Sequence, residues 1–414
     1  MRHRLKLIFA AFLLLTGAGL YGCVAARLPN VALAPRAETA APPVLAAFGD
    51  DPPVETWADW QTRRAPLLRE AFQAHIFGRW PDPAPVSLAA REMLPAESSD
   101  EPTIEQWRVN AGAHGAFDML VFMPIDAPGP TPVIIMQNFC GNAAAFPRRR
   151  GINGPDMCNG WERPLVTAIF GDAIITPPIE RIVAAGYAVA MFYPGDVAPD
   201  NRGAIAPLEA LTPAGAPPDQ RTGAVAAWAW LYIEALEALS EDGRFDHSRI
   251  VLWGHSRNGK SALLAAAMDP RPAAVIALQP GTAGGSLQRD DVGESIASIT
   301  ENYPHWFAPA YATYAGREAE LPVDMHQLIA LIAPRPVLLT AARRDQWSDP
   351  HGAFRAAQGA SPVYQLAGAP PFAQTDLRTM DLSSPLVTYM RPGLHGVHGS
   401  DWDKALAFLD AELR

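Results

Sequence analysis

The chain has 414 residues, 49% of them hydrophobic and 18% charged, with a formal net charge of −10 and three cysteines. That apolar content is ample for a large packed core and argues against a disordered chain, while the acidic balance argues against a nucleic-acid role, which needs a basic footprint. Three cysteines exclude both a disulfide-dense scaffold and a cysteine-built zinc or iron–sulfur module, and the 41 prolines, about twice the usual share of roughly 5%, predict many rigid loops.

In chain order, Arg2, His3, Arg4 and Lys6 precede an apolar, uncharged run from Leu7 to Gly22, the pattern of a bacterial export signal. The run is slightly short for a membrane span of about 20 residues. It ends in Leu20-Tyr21-Gly22-Cys23, a lipobox-like sequence except for Tyr21, where a small residue is usual. Lipidation of Cys23 therefore stands beside ordinary cleavage nearby and an uncleaved anchor. Each outcome places the working chain outside the cytoplasm, in the periplasm or as a cell-envelope lipoprotein of a bacterium, with membrane attachment through the N-terminus only. Cys140 and Cys158 remain, both in loop-like sequence. An oxidising compartment permits a bond between them, and two separate buried thiols are the alternative.

Residues 24–54 are rich in Ala and Pro and read as a linker. From Trp57 to Gly78 the apolar spacing (Trp60, Leu67, Leu68, Phe72) predicts a helix. Residues 86–124 alternate weakly, with a short strand at Asp118–Met123. Five short apolar runs follow, at Pro132–Met136, Tyr187–Tyr193, Arg249–Trp253, Ala274–Leu278 and Pro336–Thr340, each typical of a buried parallel strand. Helices are predicted at Ile179–Ala185, at Gly223–Ser240 (long and amphipathic), and at Lys260–Met268, Val323–Leu331 and Asp401–Leu413. Strands alternating with helices indicate βαβ units and a mostly parallel sheet covered on both faces. Although about 150 residues per domain would suggest two or three domains, single α/β domains often run longer. No repeat or break in composition follows residue 54, so residues 55–414 read as one catalytic domain.

Gly254-His-Ser-Arg-Asn-Gly259-Lys260-Ser261 fits two patterns. One is the phosphate loop G-x-x-x-x-G-K-[ST]. The other is a nucleophile elbow, with Ser256 on a sharp strand-to-helix turn. Three facts weigh against the phosphate loop. Nucleotide triphosphate is scarce outside the cytoplasm. The motif lies deep within a continuous α/β pattern. The next strand ends Ala277-Leu278-Gln279-Pro280, without a magnesium-binding Asp. The elbow makes further demands, which are met. A serine hydroxyl needs a neighbouring base, and the base an orienting acid, and in α/β hydrolases the order is Ser, acid, His. Asp345 follows the fifth apolar strand, and His395 lies in a glycine-flanked loop before the last helix. Asp349 and His398 are their respective rivals.

The second glycine, Gly259, stands three residues after Ser256 rather than two. The segment resembles the nucleophile motif G-C-S-R-x-G-K of the glucuronoyl esterase family, with His255 in place of Cys. The similarity extends over most of residues 57–414, through Phe77-Gly78-Arg79, Asn138-Phe139-Cys140-Gly141-Asn142, Ala226-Ala227-Trp228-Ala229-Trp230, Tyr303-Pro-His-Trp306-Phe307, Trp347-Ser-Asp349-Pro and His395-Gly396. The resemblance implies an α/β-hydrolase fold, a three-layer sandwich, and no cofactor. It also implies a carbohydrate substrate esterified at glucuronic or 4-O-methylglucuronic acid, of the lignin–carbohydrate or methyl glucuronate type.

On this basis Ser256 is the expected nucleophile, His395 the general base and Asp345 its orienting acid. The family often carries a Glu about 23 residues past the serine; here that position is Gln279, so the acid rests on Asp345 alone. The resemblance makes Arg257 an oxyanion donor through its N–H and guanidinium, against a salt bridge to a local acid. It makes Lys260, Glu294 and Trp347 substrate-binding residues, against a surface Lys, a solvated Glu and a core Trp. Asn138 to Asn142 is either the second oxyanion loop or a structural turn, and Asp324 and His326 are assigned to packing. No H-E-x-x-H is present, and His395 with His398 supplies too few ligands for a metal. Gly17-Ala-Gly19-Leu-Tyr-Gly22 falls in the export segment and is a chance match to G-x-G-x-x-G. The expected protein is an exported serine carboxylester hydrolase. Its rivals are an esterase of the same fold acting on other esters such as acetylated sugars, a non-catalytic glycan-binding lipoprotein, and a nucleotide-binding protein.

Overall fold

A computed structural model describes residues 30–32, 41–99, 101–125, 127–161, 163–289 and 292–413. The expected export signal and Cys23 lie outside them. One nine-stranded sheet organises the chain: β1 Val86–Met93, β2 Thr103–Ala111, β3 Ala116–Met123, β4 Thr131–Gln137, β5 Ala188–Phe192, β6 Phe245–His255, β7 Ala274–Leu278, β8 Val337–Ala342 and β9 Leu386–Arg391. Their order across the sheet is β1-β2-β3-β5-β4-β6-β7-β8-β9. β1, β2, β3 and β5 pair antiparallel in succession. From β5 to β9 every pairing is parallel. This is the α/β-hydrolase architecture expected from the sequence.

The two faces of the parallel strands divide the core. Val133, Ile135, Leu252, Val275 and Leu339 point into one apolar cluster. Their chain neighbours Ile134, Met136, Val251, Ile276 and Leu338 point into the other, as the two-residue period of a strand requires. Helices cover both faces: α1 Ile179–Ala184, α2 Ala224–Ser240, α3 Arg257–Met268, α4 Met325–Ala330, α5 Pro350–Leu366 and α6 Gly399–Leu413. α1 and α6 contribute Ile179, Ile182, Trp402 and Phe408 to one cluster. α2 to α5 contribute Trp228, Leu263, Leu328 and Val363 to the other.

Four particulars differ from the sequence reading. α2 is not amphipathic: all its residues except Glu237 and Ser240 are buried, because neighbouring elements cover it on every side, the environment of a helix apolar all round. α5 runs through Pro350 and Pro362, residues that read as breakers in sequence. β9 was not foreseen. The described part of the stretch read as a linker is packed. Val44 and Val54 join the main core, and Val31 is buried against Ala341, Phe354 and Met390 with its N–H on the Arg343 carbonyl at 2.7 Å. The Asp51 carboxylate pairs with Arg63 and with buried Arg64 at 2.7 Å. Among the described residues no helix is long and apolar enough to cross a membrane.

Candidate active site

The carboxyl ends of β4, β6, β7, β8 and β9 carry, in order across the sheet, the Asn138–Asn142 loop, Ser256, Gln279, Asp345 and His395. Such an edge is where open parallel sheets bind ligands.

Ser256 is the hinge between β6 and α3, with φ 55° and ψ −124°. A non-glycine residue at positive φ is uncommon and must be held. The Ser256 N–H donates to the Leu278 carbonyl at 2.8 Å, and its own carbonyl accepts from Gly259 and Lys260 at 2.9 and 3.1 Å. So tight a turn crowds strand against helix. A Cβ at Gly254 would lie 2.0 Å from the Asn258 carbonyl oxygen, and one at Gly259 would lie 3.1 Å from that of Gly254. These two contacts set the glycine spacing of the motif.

The phosphate-loop alternative fails on Lys260. Its ammonium is buried, donates to the Pro280 carbonyl at 2.7 Å and also to the Thr282 carbonyl. Burial presses it down to about 8, against the opposing charges of Glu294 and Asp345. Two of its three N–H groups are therefore committed to the turn after β7.

His395 Nδ1 lies 2.7 Å from Asp345 Oδ2. The aspartate is buried and also accepts from the Ser348 hydroxyl. Burial pushes its carboxyl up, but the hydrogen bonds from His395 and Ser348 and the charge of the imidazole outweigh this and hold it below the usual range. With Nδ1–H donated to Asp345, Nε2 carries the lone pair. His255, one residue before Ser256, has its ring centroid 4.6 Å from that of His395. Neither rival matches this placement. His398 stands 3.5 Å from Asp172 on an exposed edge. Asp349 is at the N-terminal cap of α5 in a left-handed conformation.

The Arg257 guanidinium makes the salt bridge weighed as its alternative role, 3.0 Å from Asp200. It also packs over the Phe139 ring at 4.7 Å and Trp228 at 5.7 Å. Asp200 in turn accepts from His305 Nε2 at 2.9 Å and Trp306 Nε1 at 2.6 Å. Burial raises this carboxyl, and His305, Arg257 and Trp306 together bring it below its ordinary value. Nothing in the sequence pattern marked Asp200, whose importance appears only once its three partners converge.

Glu294 is neither solvated nor satisfied: it is buried with Oε1 lacking a partner. Burial raises its carboxyl, while Lys260, His395 and Trp347 pull the other way. It lines a concavity of about 160 Å³ with Thr282, Gln288 and Ser295. Trp347 is 55% exposed, so it is not a core tryptophan but an open ring beside Glu294. Lys260, Glu294 and Trp347 thus gather on the β7–β8 side of His395.

The Asn138–Asn142 loop bonds to itself. Asn138 Nδ2 donates to Asn142 Oδ1 at 2.7 Å, and Gly141 N to Asn138 Oδ1 at 2.8 Å. Cys140 is disulfide-bonded to Cys158. Asp324 caps α4 by accepting from Met325 N at 2.7 Å, and His326 is fully buried, both being packing residues.

A sequence model of the family described as "Glucuronyl esterase, fungi" matches residues 165–368. The chain is 31% identical over 395 residues to carbohydrate esterase MZ0003 from an unknown prokaryotic organism, spanning 88% of each chain. Among solved structures it resembles a promiscuous CE15 esterase from a marine bacterial metagenome (TM-score 0.78, 30% identity, 94% of this chain and 98% of that one). It also resembles the glucuronoyl esterase from Solibacter usitatus (TM-score 0.76, 29% identity, 94% and 100%).

Proposed function

As the chain belongs to the glucuronoyl esterase family and is a carboxylic ester hydrolase, we propose that it cleaves esters of glucuronic or 4-O-methylglucuronic acid through Ser256, His395 and Asp345. The observation that carries this reading is the 2.7 Å bond between His395 Nδ1 and Asp345 beside the strained turn of Ser256. His395 Nε2 takes the Ser256 proton as Oγ attacks the ester carbonyl. The resulting oxyanion faces backbone N–H groups and the Arg257 guanidinium, a charged donor worth about 3 kcal/mol of barrier in such a site. His395 then protonates the departing alcohol, leaving an acyl-serine, and activates the water that releases the uronic acid.

Lys260, Glu294 and Trp347 hold the sugar. The third N–H of Lys260 and the unpartnered Glu294 oxygen complement pyranose hydroxyls, and the open indole face suits the ring. Export supports the same picture, because the apolar segment before Cys23 is a signal and the Cys140–Cys158 bond suits an oxidising compartment. The protein then works in the periplasm or, if Cys23 is lipidated, on the cell envelope.

Turnover of benzyl glucuronate by wild type beside Ser256→Ala tests the reading. Wild type should turn over and the variant should fall to background; equal rates would sink it. A second reading, an esterase of the same fold with wider tastes, is favoured by the similarity to the promiscuous relative. Hydrolysis of acetylated sugars without hydrolysis of glucuronate esters would select it.

A further inference from the structure

We propose that Gln279 is a positioning residue for this hydrolysis: its carboxamide clamps the backbone N–H and C=O of Gly396, and thereby the His395 loop, to the turn that presents the nucleophile. The inference rests on the reading of His395 as general base. Gln279 follows β7 directly, is buried, and has a left-handed backbone with φ 50°. Its N–H is held by the Thr340 carbonyl of β8 at 2.8 Å. The side chain meets Gly396 at both of its polar groups. Oε1 accepts from Gly396 N at 2.7 Å, and Nε2 donates to the Gly396 carbonyl at 3.2 Å. The same Oε1 lies 3.2 Å from His255 Nε2. One carboxamide oxygen therefore joins the residue before Ser256 to the residue after His395.

This pairing fixes donors and acceptors. Oε1 can only accept, so His255 carries its proton on Nε2. His255 is fully enclosed and its imidazole is held well below its ordinary value by burial, then by the neighbouring His395, so it is neutral. Gly396 turns its own N–H and C=O toward the same side, and a carboxamide offers the complement of that pair. A carboxylate would match the N–H but face the carbonyl without a proton. Two tasks thus fall to two side chains: Asp345 orients the ring of His395, and Gln279 fixes the backbone that carries it. Arg391 assists by donating to the Gly396 carbonyl at 2.8 Å, but the Gly396 N–H depends on Gln279.

The test compares wild type with Gln279→Met and Gln279→Glu on benzyl glucuronate and p-nitrophenyl acetate, with Ser256→Ala alongside. Methionine keeps the volume and removes the bonds. It should lower kcat at least about tenfold on both esters with KM within about twofold, because the base is misplaced while the sugar contacts remain. Glutamic acid should move the acidic limb of kcat/KM. Protonated, it can donate to the Gly396 carbonyl and mimic the amide. Ionised, it loses that bond and places a negative charge beside His395, favouring the imidazolium and shifting the limb to higher pH. The other charged or titratable groups facing His395 and its loop are Asp345, Glu294, His255, Lys260 and Arg391, with Asp401 on Arg391 and the His398 N–H and His398 itself, and all are unchanged in both variants. Wild-type kcat in Gln279→Met, or a wild-type pH profile in Gln279→Glu, overturns the proposal. Ser256→Ala as active as wild type overturns the parent reading, and the proposal with it; failure on glucuronate alone does not, because the acetate still reports the clamp.

Discussion

Asp345→Asn should be among the most damaging single changes outside Ser256 and His395. The proposed cycle charges the imidazole in each transition state, and the Asp345 carboxylate lies 2.7 Å from Nδ1. Opposite charges at that separation attract by about 6 kcal/mol at an effective dielectric of about 20. The His395 side chain is 27% exposed, and solvent screening with a residual neutral hydrogen bond reduces the net loss to about 3–5 kcal/mol. That corresponds to a fall in kcat of roughly 10²- to 10⁴-fold. The amide also offers a donor where the imidazole needs an acceptor, which favours the wrong tautomer. No second acid stands at the end of β7, where Gln279 takes the place of a carboxylate. The assay is kcat and KM for benzyl glucuronate at neutral pH, with KM expected to change little. The aspartate's pKa is lowered on folding, so its ionised form stabilises the protein above the ordinary carboxylate value of 3.8 and that contribution is lost as pH falls through the depressed one. The unfolding free energy of Asp345→Asn should therefore fall less steeply with pH below about pH 4 than that of wild type. A variant retaining kcat within threefold of wild type would refute the argument.

Asp200→Asn should reduce kcat by about 10- to 100-fold with KM nearly unchanged, because it removes the charge that anchors Arg257 and thereby loosens an oxyanion donor. Steady-state kinetics on both ester classes check this, and an unchanged kcat would make the ion pair structural only. Lys260 loses its charge above about pH 8, and a charged donor bonds about twice as strongly as a neutral one. KM for a glucuronate ester should therefore rise above that pH in wild type, and Lys260→Met should show a raised KM without the rise. Cys140→Ser with Cys158→Ser opens a loop of 18 residues and should lower unfolding free energy by about 3 kcal/mol, read from denaturant midpoints.

Parts of the fold with one strong periodic signal were legible. β7 has the bounds predicted for it, Ala274–Leu278, because a fully buried parallel strand is an uninterrupted apolar run. α5 was not legible, since two prolines and two glycines interrupt its pattern. Two of the four have a local reason: Pro350 stands in the first turn, where a missing N–H is harmless, and a side chain at Gly359 would come within 3.0 Å of His326 Cβ. The packed strap at 41–54 was hidden by composition. Its prolines and alanines look like linker, while the residues that dock it, Val44, Val54 and Asp51 with Ala41, Leu45 and Phe48, show no single period.

The site divides in the same way. Ser256 and Asp345 were readable because each sits just past a predicted strand, and His395 because it lies in a glycine-flanked loop before the last helix, in the chain order their chemistry requires. Arg257 was readable through its place after the serine, but its partner was not, because Asp200 lies in an aperiodic loop 57 positions earlier and meets Arg257 only in space. Gln279 was visible only as a missing acid. A sequence presents its carboxamide as the loss of a function, whereas the fold sets that carboxamide against the matching N–H and C=O of Gly396. The departure is therefore one of target: the side chain at this position still serves the histidine, but grips its backbone instead of its ring. Both the orientation and the placement of the base must then survive for the serine to be activated, and each depends on a different single residue.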